Sequence, residues 1–115
     1  MILLIENSHM YEEPLQKCDI EFACLKSSDI NAVTFDEHTL DPSTIDTVLL
    51  GSCSSRMRTI EIIRKIFDVP IIAVLENRST KSLINLYLHG VDEVILMDNC
   101  IEEFLKYRRV MIGSN

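Results

Sequence analysis

Five small residues, Gly51-Ser52-Cys53-Ser54-Ser55, stand between an apolar run and two arginines, Arg56 and Arg58. Backbone N–H groups at the entry to a helix can hold an anion. Gly51, Ser52, Cys53, Ser54 and Arg56 therefore form a candidate ligand or anion loop, although glycine and serine are also ordinary loop residues. A cysteine just before a helix can act as a reactive thiolate, but Cys53 has no partner placed to resolve an oxidised form. Glu6 and Asn7 follow the first apolar run. One carboxylate falls short of a magnesium site, which needs further carboxylate or phosphate oxygens, so Glu6 reads as a polar residue at a sheet edge. Cys18, Cys24, Cys53 and Cys100 include no C-x-x-C pair, and no histidine stands at a ligand spacing from any of them. No metal and no cofactor are implied. His9, His38 and His89 are scattered and fit surface or capping roles.

The elements that must position these groups are those of one domain, 1–115, with 47% apolar residues and 25% charged. That composition is enough for a single core and too apolar for disorder. A net charge of −7 argues against direct nucleic-acid binding, which needs clustered lysine and arginine. No run approaches the roughly 20 apolar residues that span a bilayer, and the opening Met1-Ile-Leu-Leu-Ile5 is too short for a signal peptide. Free thiols and a chain able to fold without disulfides place the protein in the cytoplasm.

Short apolar runs at 2–5, 48–50 and 71–75 read as strands buried on both faces. A looser run at 20–25 predicts a strand nearer the sheet edge, and 91–96 a turn and a fifth strand. Residues 56–67 carry Ile60, Ile63 and Phe67 at helical spacing, with Arg58, Glu61, Arg64 and Lys65 on the polar face. Asp68-Val69-Pro70 ends that helix. A second helix, capped by Ser79 or Thr80, runs to about His89 with Leu83, Leu86 and Tyr87 inward, and Gly90 stops it. A third begins near Cys100 after an Asn99/Glu102 capping pattern, runs towards Met111, and turns Ile101, Phe104 and Leu105 inward. Pro14 leaves two options for 9–19: a helix starting near Glu12 or Glu13, or an irregular segment. A short helix is expected in part of 30–38 or of 41–45. Strands alternating with helices predict an α/β fold, a five-stranded parallel doubly wound sheet of flavodoxin-like type with helices on both faces.

The order and spacing resemble the receiver domain of bacterial response regulators over essentially the whole chain. The residues that carry the likeness are 2–7, Val69-Pro-Ile-Ile-Ala-Val74 and Gly90-Val-Asp-Glu-Val-Ile95. In that family two acids after the first strand hold magnesium beside a phosphoacceptor aspartate at the end of the third. A hydroxyl after the fourth strand and a lysine after the fifth contact the phosphate. Here those positions fall on Glu6 and Asn7, on Gly51, on Leu75 and on Met97. The resemblance thus implies the receiver fold without aspartyl-phosphate chemistry: an atypical pseudo-receiver and not an enzyme. Val48-Leu-Leu-Gly-Ser52 followed by a helix further resembles the N-terminal domain of flagellar enhancer-binding transcription regulators. The expected role is a phosphorylation-independent regulatory module acting through protein contacts, as a homodimer or docked to an effector. By the same resemblance Tyr87, Leu88 and Arg108 lie on the partner face. The alternative is a small-ligand or anion sensor at the carboxyl edge of the sheet.

Overall fold

A computed structural model describes residues 1–7, 10–26, 42–51, 56–75, 80–96 and 100–112. Five strands form one parallel sheet in the order β2-β1-β3-β4-β5: β1 (Ile2–Ile5), β2 (Phe22–Leu25), β3 (Thr47–Leu50), β4 (Ile71–Leu75) and β5 (Glu93–Leu96). This is the flavodoxin-like order, in which the chain reverses its direction of travel across the sheet between β1 and β3. Ile2 pairs with Thr47 and Ile5 with Leu50, so the carboxyl ends of β1 and β3 lie level at that reversal.

The two faces of the sheet are packed by different helices because side chains alternate along each strand. Leu3, Ile5, Val48, Leu50, Ile71 and Ala73 meet α2 (Arg56–Ile66) and α3 (Thr80–Leu88) through Ile60, Ile63 and Leu86, with Phe67 just past α2 in the same cluster. Ile2, Leu4, Leu49, Ile72, Val74 and Ile95 meet α1 (Glu12–Lys17) and α4 (Cys100–Met111) through Leu15, Cys100 and Phe104. All residues of β1, β3 and β4 are buried. Burying each large apolar side chain contributes about 1.5–3 kcal/mol, which is why these runs are continuous rather than alternating.

Of the two options for 9–19, the helix forms, and it starts at Glu12. Pro14 stands in its first turn, where its missing N–H has no intrahelical partner to lose. The α1 helix ends at Lys17, and Asp19 just beyond takes a φ of 55°. β2 is therefore shorter than the 20–25 run and begins at Phe22, on the sheet edge. Part of 41–45 forms a 3-10 turn at Pro42–Thr44; the 30–38 alternative lies outside the described residues, as do Ser79 and Asn99. The α3 helix has Thr80 as its first residue. The third helix matches its expected span at Cys100–Met111.

Gly90 closes α3 with a φ of 114°, which side chains rarely adopt. Its N–H bonds to the Tyr87 carbonyl and that of Val91 to Leu86, the paired bonds of a Schellman ending. Two predicted orientations need correction. Tyr87 does not face inward: it is exposed and donates its hydroxyl to Glu93 Oε1 at 3.1 Å, because Leu86 and Leu83 already fill the contact with the sheet. Arg64 is not a solvated polar-face residue. Its guanidinium donates to the carbonyls of Val69 and Gly90 and to Asp92 Oδ2 at 2.7 Å. Asp92 also accepts the Ile71 N–H at 2.8 Å, so this cluster ties the end of α2 to the starts of β4 and β5.

A second charged cluster closes the amino edge of the sheet. Asp46 accepts both Nε and Nη2 of Arg108, at 2.9 and 2.7 Å, together with the Met1 ammonium at 2.9 Å and the Thr47 hydroxyl at 2.8 Å. Burial alone would raise the Asp46 pKa, but hydrogen bonds from Arg108, the ammonium and Thr47, and the charge of Arg108, lower it to about 2. Arg108, expected on a partner face, is held inside this cluster at 21% exposure.

Candidate functional site

The crevice at the β1/β3 reversal is where ligands bind in open α/β sheets. Gly51 extends β3 by donating its N–H to the Ile5 carbonyl at 2.8 Å, and Glu6 extends β1 by donating to Leu25 at 3.1 Å. Residues 6 and 51 are thereby set side by side at the carboxyl edge, one carrying a carboxylate and the other no side chain.

The space above Gly51 is filled. A Cβ built on Gly51 would stand 3.0 Å from Glu6 Cβ and 3.1 and 3.2 Å from ring carbons of Tyr11. Tyr11 is only 5% exposed. Its N–H donates to Glu6 Oε1 at 3.0 Å, and its side chain lies in the buried cluster that includes Cys100 and Phe104 of α4. Glu6 stands at the edge of the sheet, as its sequence position implies, and is fully buried there. Its Oε2 has no hydrogen-bond partner among the described residues. Among those residues no group of three or more His, Cys, Asp and Glu side chains is placed to hold a metal.

The other site positions fall as follows. Asn7 is exposed. Leu75 is buried at the end of β4 among Leu50, Ile5 and their apolar neighbours, so no hydroxyl stands at that place. Arg56 opens α2 and donates Nη2 to the Gly51 carbonyl at 3.0 Å, which bends its head back onto the backbone. Ser52, Cys53, Ser54 and Met97 lie outside the described residues, as do His9 and His38. Among the described residues, the thiols of Cys24 and Cys100 are raised above the ordinary cysteine range. Burial, a hydrogen bond with Glu12 and the charges of Glu12 and Glu6 push Cys24 up to about 12. Burial pushes Cys100 up as well, against the opposing bond from Tyr11.

Tyr87 and Leu88 are exposed on α3. Leu88 is 77% exposed and Ile84, on the same helix, 53%; Leu96, the last residue of β5, is exposed as well. Among the described residues no helix is long and apolar enough to cross a membrane.

Sequence reasoning missed Tyr11, Asp46, Arg64 and Asp92 as organising residues. One signal for Tyr11 was available. An aromatic stands at the N-cap of α1, where Ser, Thr, Asp or Asn is favoured, and makes no capping bond with its side chain.

No family model matches the chain, and no curated protein matches it. Solved structures do. A CheY-like protein (tadZ) from Pseudomonas aeruginosa PAO1 is similar at a TM-score of 0.71 and 12% identity, over 98% of this chain and 99% of that one. A pilus assembly-related protein from Burkholderia pseudomallei K96243 is similar at 0.68 and 12%, over 97% and 90%. A response regulator in red-light signalling of R. palustris is similar at 0.54 and 14%, over 82% and 78%. The likeness is one of fold: the chain has the receiver-like, CheY-like architecture.

Proposed function

We propose that this chain is a phosphorylation-independent, receiver-like regulatory module that works through protein contacts in the cytoplasm. The observation that supports it is the crevice itself, where Gly51 replaces an acceptor carboxylate and the space beside it holds Tyr11 and Glu6. An aspartyl phosphate requires a carboxylate nucleophile, a cation held by several oxygens and a positive charge on the product. Position 51 has no side chain, Asn7 is an amide and Leu75 is apolar. The module is not an enzyme on this reading.

Contact with partners is assigned to the α3–β5–α4 face, where Ile84, Tyr87, Leu88 and Leu96 are exposed. Apolar side chains grouped on one face favour a protein partner, here a second copy of the chain or an effector domain. The flagellar-regulator likeness of Val48-Leu-Leu-Gly-Ser52 and the fold likeness to a pilus assembly-related protein both suit a regulator of bacterial surface appendages. A flagellar enhancer-binding activator is the setting that the motif favours. The anion-sensor alternative loses ground because Arg56 already donates to Gly51.

Acetyl phosphate and magnesium, then beryllofluoride and magnesium, are added to the protein, and its intact mass and solution mass are measured. No phosphoryl adduct and no change of oligomeric state are expected. A stoichiometric change in either would overturn the reading. The face is tested by Leu88→Asp, which is expected to weaken self-association or effector capture while leaving the unfolding curve in place.

A further inference from the structure

Loss of an acceptor side chain at position 51 would by itself leave a vacant crevice. The crevice is instead occupied, and by a residue from another part of the chain. We propose that Tyr11 is a built-in plug that holds the carboxyl edge of the sheet in one arrangement, with Gly51 as the packing partner that makes room for it. The proposal deepens the docking reading above and rests on it for its meaning, but it fails separately.

Three anchors define the plug. The Tyr11 N–H is held by Glu6 Oε1 at the end of β1. Its ring lies against Gly51 at the end of β3, so close that even a Cβ would meet ring carbons at 3.1 and 3.2 Å. Its ring packs in the buried cluster that holds Cys100, the first residue of α4, and Phe104. One residue thus connects β1, β3 and α4 across the reversal point, from a position that leads straight into α1.

The burial pattern supports the same assignment. Tyrosine is a poor N-cap, and Tyr11 supplies no side-chain cap to α1. It is nevertheless nearly fully buried, and so are Gly51, Glu6 and Cys100 around it. A buried aromatic ring is a rigid spacer. Interiors pack too closely for a second side chain to share that volume. Movement of α4 relative to β3 therefore requires the ring to leave.

The test is a thermodynamic cycle in urea on the full chain: wild type, Gly51→Ala, Tyr11→Ala and the double variant. With Tyr11 present, Gly51→Ala is expected to raise the unfolding equilibrium constant by about tenfold, the scale of overpacking. In the Tyr11→Ala background only the Glu6 Cβ contact at 3.0 Å remains, and the same change is expected to cost about threefold less, a coupling of neighbouring sites. A second measurement does not depend on Gly51→Ala folding. Amide hydrogen exchange at 100–104 is expected to quicken in Tyr11→Ala and, to a smaller extent, in Tyr11→Phe, which keeps the ring and loses the hydroxyl. Equal cost of Gly51→Ala in both backgrounds, or unchanged exchange at the start of α4 in Tyr11→Ala, would overturn the plug. Either result, with a wild type still unresponsive to acetyl phosphate, leaves the docking reading standing. A wild type that responds to the phosphodonor removes the docking reading whatever the cycle returns.

Discussion

Replacing Asp46 with asparagine removes the charge that holds Arg108, and the effect should depend on pH in a defined way. Asp46 is lowered from 3.8 to about 2: burial works against this, and the bonds from Arg108, the Met1 ammonium and Thr47 outweigh it. A folded-state pKa below the unfolded one means that the stabilisation is fully present above the unfolded value. It is lost as pH falls through the folded one. At about 1.4 kcal/mol per pH unit the shift corresponds to roughly 2.5 kcal/mol. Asp46 and Arg108 are 31% and 21% exposed, so solvent screening reduces the figure to about 1–2 kcal/mol. Urea unfolding of wild type and Asp46→Asn at pH 7 should show that loss. By about pH 3 roughly half of it should be gone, because the unfolded carboxyl has largely protonated while the folded one has not. A difference between the two proteins that is the same at pH 7 and pH 3 would refute the assignment of the stabilisation to ionised Asp46.

Arg64→Ala removes charge-assisted bonds to Val69, Gly90 and Asp92 and should lower stability by about 2–3 kcal/mol, read from the urea midpoint at constant slope. Gly90→Ala forces a Cβ onto a φ of 114° and should cost about 1–3 kcal/mol; retention of the wild-type midpoint would show that the turn adapts. Alkylation at neutral pH, followed by mass spectrometry, should label exposed Cys18 well before Cys24 and Cys100, which are more buried and whose thiols are raised.

Most of the sheet was legible because its central strands are buried on both faces. Nothing but a continuous apolar run satisfies Ile2–Ile5 or Ile71–Leu75. The α2 and α4 helices were legible because Ile60, Ile63 and Phe104 recur on one stripe. The α1 start was ambiguous, since a proline in a first turn and a proline in a broken segment look alike in sequence. Tyr87 and Arg64 were misplaced for a common reason. Helical periodicity assigns a face, but it does not say which long side chains fold back to reach carbonyls or acids elsewhere. Sequence placed Gly51 correctly at the end of β3, next to Glu6. It could not show that the crevice was filled, because Tyr11 arrives from outside any periodic segment and its fit to Gly51 is a property of shape. Asp46 and Arg108 are 62 residues apart, and no local pattern joins them.

The pairing of Tyr11 with Gly51 makes the crevice resistant to single substitutions. A carboxylate introduced at position 51 alone would collide with Tyr11 and Glu6, so that variant is a less stable protein. Replacing Tyr11 alone opens a cavity beside a buried carboxylate and is also costly. Each residue makes a change at the other expensive, so opening the crevice takes concerted substitution at both positions.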